Sequence, residues 1–280
     1  MQLLDRPRVG PTRVHGLYVL NALFHYAGPA IAVLTFPHVG VAGAIWLRIA
    51  SAALAFAVWR RPWRVFGSAL SVGMGATLAA MNAAFYLAID RLPLSTVGAV
   101  EFLGIICLAA AGVRNRRNAL ALLLAVAGVA ALADIRIATE PLGFLFAFGN
   151  CALFAVYVML GHRIASSGVD RVDQLGASMI IAAVLVLPAG VIGHDGFSGG
   201  AAWSVVGVGV GICSSVIPYV IDQAIMARIR RASFALLLSI LPATATVVGM
   251  VVLTQIPTPQ DLAGIGLVVC GVMIHEAEGT

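Results

Sequence analysis

Long apolar runs, interrupted at nearly regular intervals by short polar segments, dominate the pattern along this chain. Most runs approach about 20 residues, the length that an α-helix needs to cross a bilayer. They are unbroken, without the two-residue alternation of a membrane β-barrel strand. The pattern predicts an all-α integral membrane protein with ten transmembrane helices. The predicted spans are about 17–36, 41–59, 68–89, 94–113, 119–137, 142–162, 175–193, 202–225, 233–253 and 260–274.

Composition agrees with a membrane environment. Hydrophobic residues form 61% of the 280-residue chain and charged residues 10%, whereas a soluble domain has roughly half and about a quarter, respectively. Too few residues remain between the predicted spans to form a soluble domain. The lipid bilayer is therefore the predicted surrounding of nearly the whole chain.

The basic residues predict how the chain is oriented. All 17 are arginines, and 14 of them fall in segments that share the side of the N-terminus. Arg91 and Arg136 fall on the other side, and Arg48 lies within a span. Because positive residues concentrate on the cytoplasmic side, we expect both termini in the cytoplasm. The same dispersed arginines give the net charge of +5, so the basic balance does not indicate a nucleic-acid partner.

The chain also repeats itself weakly, which predicts two related halves, 1–138 and 139–280. Each half holds five predicted helices, and an odd number inserts the second half the opposite way up. Inverted repeats are typical of secondary transporters, whose substrate site lies near the midplane between the halves. The similar segments are 21–31 with 150–160, and 72–93 with 208–230.

No motif of an enzyme or of a nucleotide-driven pump is visible in the sequence. It lacks G-x-x-x-x-G-K-[ST], H-E-x-x-H and G-x-S-x-G, which would bind phosphate, bind zinc and carry a nucleophilic serine. The four cysteines fall inside predicted spans without a C-x-x-C pair. The sequence therefore predicts a non-enzymatic protein without catalytic residues, metal or cofactor.

Two charged residues are predicted deep in the membrane, Arg48 and Glu101. Each lies about eight residues from the outer end of its span, or roughly 12 Å deep at 1.5 Å per residue. They could form a static ion pair between two helices. Alternatively, Glu101 binds a proton or a cationic substrate group, while Arg48 tunes it or binds a substrate carboxylate. Asp134, Arg136 and Asp222 are predicted near helix ends, where side chains reach the interface.

Uncharged polar residues within the spans complete the candidate site. Asn21 and His25 are four residues apart and share a helix face, as do Asn82 and Tyr86. Asn150 lies about eight residues into its span. Such residues commonly form interhelical hydrogen bonds, and substrate or proton binding is the alternative. Three tyrosines could line the pathway, although aromatic packing is the commoner role: Tyr26, Tyr157 and Tyr219.

Short motifs along nearly the whole chain give a family resemblance. EFLG (101–104), DRLPLSTVGAVEF (90–102) and SILPATATVVGMVVL (239–253) resemble the drug/metabolite transporter superfamily with paired EamA domains, closest to the bacterial threonine/homoserine exporter branch. The resemblance implies an inner-membrane carrier that exports small amino acids or related small metabolites, with protons as the exchanged ion. The family's glutamate in the fourth helix corresponds to Glu101.

The sequence departs from this family pattern at three places. Ile105 replaces a common proline, and Thr254-Gln255 replaces a common Gly-Glu. Leu241 stands where the branch has a second glutamate, so the motif leaves no acid to mirror Glu101. Two other functions remain open at this point: efflux of a lipophilic cation that Glu101 alone could bind, and a membrane scaffold or sensor that transports nothing.

Overall fold

The computed structural model describes residues 11–112, 116–133, 139–192, 200–226 and 240–274, and every regular element in these ranges is helical. The helices are α1 (Pro11–Arg60), α2 (Ala69–Ile89), α3 (Leu94–Gly112), α4 (Arg116–Ala133), α5 (Pro141–Ala165), α6 (Arg171–Leu185), α7 (Leu187–Ile192), α8 (Gly200–Gly211), α9 (Ile217–Met226), α10 (Ile240–Leu253) and α11 (Pro259–Ile274). A five-residue π-helix, Ile212–Val216, joins α8 to α9.

The described helices confirm the prediction of an all-α membrane protein. Four stretches are long and apolar enough to cross a bilayer, and they are Leu20–Arg60, Ala69–Ile89, Pro141–Ala165 and Ala202–Ile225. The count of ten spans and the inverted repeat stay predictions. The predicted span 119–137 runs past the end of α4, and Asp134 and Arg136 lie outside the described residues.

Helix α1 combines the first two predicted spans, which meet at Gly40. This residue has φ 70° and ψ 163°, a conformation that glycine adopts without the steric cost of a Cβ. Before Gly40, His38 stacks on Trp203 and His25 contacts Tyr219, so this arm runs antiparallel to α8 and α9. After Gly40, a parallel arm brings Leu47 against Gly207 and Ser51 against Gly211. The chain therefore reverses direction at Gly40.

Small residues let the helices pack closely. A Cβ on Gly28 would overlap the Cβ of Ser214, so the first arm of α1 touches the π-helix directly. A Cβ on Gly128 would lie 2.5 Å from the carbonyl oxygen of Gly264, where α4 crosses α11. Close backbone approach through small residues is typical of helices packed in a bilayer. It places polar side chains of different helices within hydrogen-bonding distance.

One end of the bundle, called here the basic end, is where α1 and α5 finish and α6 starts. Arg60 binds two carboxylates there, Asp170 at 3.0 Å and Asp173 at 2.7 Å. Asp170 also caps α6, since it accepts hydrogen bonds from the backbone N–H groups of Val172 and Asp173. Burial alone would raise the pKa of Asp170, but these N–H groups and Arg60 outweigh it and lower that pKa.

Candidate functional site

A small cavity lies inside the bundle, enclosed by both arms of α1 and by α2, α3, α5 and α9. Its volume is about 10 Å³, which is room for roughly one water molecule. Five of the predicted site residues line it, while Asn21 and Tyr86 do not. The lining residues are His25, Arg48, Met81, Asn82, Phe85, Glu101, Asn150 and Tyr219.

Glu101, on α3, is 2% exposed and is held by two neutral donors. The Tyr26 hydroxyl donates to Oε2 at 3.2 Å, and the Asn150 amide donates to Oε1 at 3.0 Å. Gly98 lies one turn before Glu101, and a Cβ there would sit 3.0 Å from the Tyr26 hydroxyl oxygen. The absence of a side chain at Gly98 thus gives Tyr26 room beside the carboxylate.

Arg48, on the second arm of α1, is 3% exposed and binds the π-helix. Its Nε donates to the Ser215 hydroxyl at 2.9 Å, and its Nη2 donates to the Ser214 carbonyl at 3.1 Å. The guanidinium lies 5.2 Å from the ring centroid of Tyr86, a cation–π contact. A π-helix changes the regular backbone hydrogen bonding and is frequent at functional sites; here it supplies the partners of a buried cation.

The alternative of a static Arg48–Glu101 ion pair is not what the structure shows. Within the described part of the chain, neither residue has an oppositely charged atom within 4.0 Å; the salt bridges found there both involve Arg60. The Nη1 group of Arg48 has no hydrogen-bond partner, nor has the Oδ1 of Asn150. The cavity therefore carries a carboxylate, an unused cationic donor and an unused amide acceptor.

The prediction that Asp222 lies at a helix end and reaches the interface is wrong. Asp222 is 2% exposed because α9 packs against α1 and α5 at this level. Its Oδ1 accepts from the Asn21 amide at 2.8 Å, and its Oδ2 accepts from the Tyr157 hydroxyl at 3.2 Å. The chain thus has a second buried acid, although not at Leu241, where the family pattern would place one.

The sequence repeat contained a signal for this second acid. Aligning segment 72–93 with segment 208–230 puts Asp222 opposite Tyr86, which was itself a candidate residue. Distance from the helix end, used alone as a measure of depth, hides that signal. Aromatic packing is also an incomplete role for two of the tyrosines, because Tyr26 and Tyr157 donate to carboxylates.

The two carboxylates have matching partners from the same two helices. Helix α1 supplies Tyr26 to Glu101 and Asn21 to Asp222, whereas α5 supplies Asn150 to Glu101 and Tyr157 to Asp222. Asn150 and Tyr157 are seven residues apart, which is about 10 Å along a helix. Glu101 therefore lies toward the end of the bundle where α3 begins, and Asp222 lies closer to the basic end.

Aromatic rings fill the space between these two levels. The His25 ring contacts Tyr26, Phe154 and Tyr219, with centroid distances from 5.6 to 6.4 Å. Asn82 donates to the Tyr219 hydroxyl at 3.3 Å and to the Leu78 carbonyl at 2.8 Å. Across the described residues, no three His, Cys, Asp or Glu side chains are grouped to hold a metal ion.

The chain is similar in sequence to known membrane transporters. The profile of the EamA-like transporter family matches residues 141–275. The threonine/homoserine exporter RhtA of Escherichia coli (strain K12) is 30% identical over 258 residues, covering 88% of this chain and 85% of that protein. RhtA of Salmonella typhimurium (strain LT2) is 28% identical with the same coverage.

A solved crystal structure shares the fold. It aligns with a TM-score of 0.60 at 18% identity and covers 93% of this chain and 95% of its own. The exporters above carry the family assignment, since their similarity runs through most of both chains. The chain therefore belongs to the drug/metabolite transporter superfamily, near the threonine/homoserine exporters, and is a membrane transporter and not an enzyme.

Proposed function

We propose that this chain is a secondary-active exporter of small zwitterionic amino acids, with threonine and homoserine as the first candidates. Ten spans in two inverted halves, 1–138 and 139–280, alternate access to a central site in exchange for protons. The relatives named as threonine/homoserine exporters support the substrate class. The dispersed arginines support a bacterial inner-membrane orientation with both termini in the cytoplasm, which places the basic end on the cytoplasmic side.

The observation that carries the proposal is that Glu101 and Arg48 line one cavity and do not contact each other. A zwitterion presents an ammonium and a carboxylate on one carbon. Glu101 and the free Oδ1 of Asn150 can accept from the ammonium, while the free Nη1 of Arg48 can donate to the carboxylate. Charged hydrogen bonds of this kind are stronger than neutral ones. A substrate with both charges would satisfy groups that have no partner in its absence.

The cavity volume adds a requirement for movement. At about 10 Å³ the cavity admits roughly one water molecule, so an amino acid cannot enter the site as it stands. The helices around it must separate for binding, and separation on alternate sides is what a carrier needs. The present arrangement corresponds to a closed state between the two open ones.

Transport in proteoliposomes tests this proposal. Labelled threonine and homoserine are offered with and without a pH gradient to the parent, to Glu101→Gln and to a control, Asp90→Asn, at an exposed acid after α2. We expect gradient-stimulated uptake by the parent and the control. Glu101→Gln should lose at least about tenfold, because loss of one charged hydrogen bond costs about 1.5–3 kcal/mol.

Two outcomes would contradict the proposal in different ways. If Glu101→Gln transports as well as the parent, the carboxylate is a scaffold and the substrate site lies elsewhere. If the parent moves neither amino acid, the substrate class is wrong. Efflux of a lipophilic cation is the alternative to test next, although Arg48 in the same cavity opposes a ligand that carries only positive charge.

A further inference from the structure

The acid on α9 has no role in the substrate site described above. We propose that Asp222, held by Asn21 and Tyr157, is the proton-binding site of this carrier, separate from Glu101, which binds the substrate ammonium. This inference rests on the proposed transport function. It assigns proton binding and substrate binding to two different carboxylates. The assignment depends on the donors around Asp222, on a free acceptor beside it and on its position outside the cavity.

Both oxygens of Asp222 accept hydrogen bonds from neutral groups, Asn21 at 2.8 Å and Tyr157 at 3.2 Å. Among the residues that the structure describes, no arginine or histidine nitrogen lies within 4.0 Å of it. An ionised carboxylate buried without a cation is unfavourable, and protonation is the ordinary way to remove that charge. The surroundings thus suit a group that is neutral for part of a cycle.

The partner residues can serve both protonation states. Asn21 donates through Nδ2 to the ionised carboxylate, and its Oδ1 has no hydrogen-bond partner although the residue is 1% exposed. Rotation of the amide by about 180° would present Oδ1 as an acceptor to a protonated Asp222, since asparagine carries both kinds of group. The Tyr157 hydroxyl can likewise donate or accept. Neither state therefore leaves Asp222 without a partner.

The position of Asp222 separates it from the substrate and still couples it to Glu101. Asp222 does not line the cavity, whereas Tyr219, one turn earlier on α9, does. The α5 partners of Glu101 and Asp222 lie about 10 Å apart along the helix, and two like charges at such a separation in an apolar interior disfavour simultaneous ionisation. An ammonium bound at Glu101 would remove that repulsion and favour release of the proton from Asp222. By linkage, the proton would in turn weaken substrate binding, which is the relation that exchange requires.

Other titratable groups face Asp222 from the elements packed around it. Helix α6 also packs on α9, but its ionisable residues lie in its first turn at the basic end, where Asp173 is bound by Arg60. Arg228, Arg230 and Arg231 lie outside the described residues. The facing groups are Tyr157 from α5, Tyr219 from α9 itself, His25 from α1 through its contact with Tyr219, and Glu101 from α3.

An infrared titration tests the proton site without any substrate. Difference spectra between acid and neutral pH are recorded on the purified full chain in liposomes, following the carboxylic-acid band. The parent, Asp90→Asn and Glu101→Gln should all show the Asp222 component, and Asp222→Asn should lose it. Tyr157→Phe, which keeps the acid but removes one donor, should shift the frequency of that component, whereas Tyr26→Phe should leave it in place.

A spectrum of Asp222→Asn that equals the parent's would overturn the proposal. If Asp222→Asn does not fold, the Tyr157→Phe spectrum decides instead, and an unshifted band there would also overturn it. Because these spectra need no substrate, they still decide the role of Asp222 if the parent transports neither threonine nor homoserine. Failure of the substrate assignment and failure of the proton site are thus separate results.

A flux measurement then tests the division of tasks. Threonine uptake driven by a pH gradient is compared with threonine–threonine exchange at equal pH on both sides. Asp222→Asn should lose gradient stimulation, so that its uptake equals the gradient-free rate, and should still show exchange. Glu101→Gln should lose both. Gradient stimulation retained in Asp222→Asn, or loss of exchange together with stimulation in a folded variant, would show that the two carboxylates do not have separate roles.

Discussion

Carboxylates are held in two different ways in the two regions of this molecule. In the centre of the bundle, Glu101 and Asp222 are almost fully buried and accept hydrogen bonds from asparagine and tyrosine. At the basic end, Asp170 and Asp173 are bound by Arg60 at 3.0 and 2.7 Å. The two acids at the basic end thus share a cationic partner, whereas Glu101 and Asp222 have neutral donors.

This difference follows from what each region must do. An ion pair at the surface needs little desolvation, and it adds modestly to stability. A buried pair, once formed, is costly to break, because one uncompensated charge would remain in an apolar interior. Under the proposed function, Arg48 stays on the π-helix and away from Glu101 so that both charges are available to a substrate. A transporter needs this arrangement, since its ligands must leave as well as bind.

The largest effect is expected from changing the buried cation. Arg48→Lys retains the charge, but a lysine ammonium cannot reproduce the planar fork that donates to Ser214 and Ser215 while presenting Nη1 to the cavity. Truncating one partner of a buried charged pair costs about 2–5 kcal/mol. We therefore expect the KM for threonine to rise at least about thirtyfold, measured as concentration-dependent uptake.

The control for this prediction is Arg64→Gln, an exposed arginine near the basic end, which should leave the KM within about twofold of the parent. A substrate analogue without a carboxylate should also bind equally to the parent and to Arg48→Lys. If Arg48→Lys keeps the parental KM for threonine, the cation does not bind the substrate carboxylate, and its hydrogen bonds to the π-helix are structural.

The sequence could predict the helical fold and the first buried acid for simple reasons. An unbroken apolar run of membrane length can satisfy its backbone hydrogen bonds in a bilayer only as a helix. Glu101 and Arg48 are the charged residues that lie deep within such runs. Asp222 escapes this reasoning because distance along the chain from a helix end does not measure depth when α1 and α5 bury the residue laterally. The π-helix that binds Arg48 has the sequence ICSSV (212–216), which is not distinguishable from that of an ordinary α-helix. The sequence therefore could not predict that Arg48 would bind there and not pair with Glu101.

An intermediate effect is expected from the two tyrosines that donate to the buried acids. Tyr26→Phe removes a donor from Glu101, and Tyr157→Phe removes one from Asp222. Each loss concerns one hydrogen bond to a charged group, about 1.5–3 kcal/mol. Tyr26→Phe should change the KM for threonine by about tenfold with gradient stimulation retained. Tyr157→Phe should alter gradient stimulation with little change in KM.

Uptake at several substrate concentrations, with and without the gradient, separates these two effects in one set of vesicles. If KM and gradient stimulation changed equally in Tyr26→Phe and in Tyr157→Phe, the division between substrate and proton sites would be wrong. Phe36→Leu offers a matched control, because it alters an aromatic side chain in the bundle that contacts Tyr86 and neither acid; it should affect neither parameter selectively.

The smallest effect is expected at the basic end, where the acids are bound by a cation. Asp170→Ala removes the cap of α6, worth about 1 kcal/mol, and an exposed ion pair worth roughly 0.2–1 kcal/mol. Asp170→Asn should cost less, because asparagine caps about as well as aspartate. Both variants should transport threonine as the parent does, since neither touches the cavity. Thermal unfolding in detergent measures the stability difference.

The pH dependence of the stability difference between the parent and Asp170→Asn shows whether the charge of Asp170 stabilises the folded state. Because hydrogen bonds and Arg60 lower the pKa of Asp170 below its ordinary value of 3.8, its ionised form stabilises the folded state above that pH. The contribution is lost as the pH falls below 3.8 and through the lowered pKa, so the gap between the parent and Asp170→Asn should close in strong acid. A gap that stayed constant would mean that the charge of Asp170 contributes nothing, and that the ion pair at the surface adds as little to stability as such pairs often do.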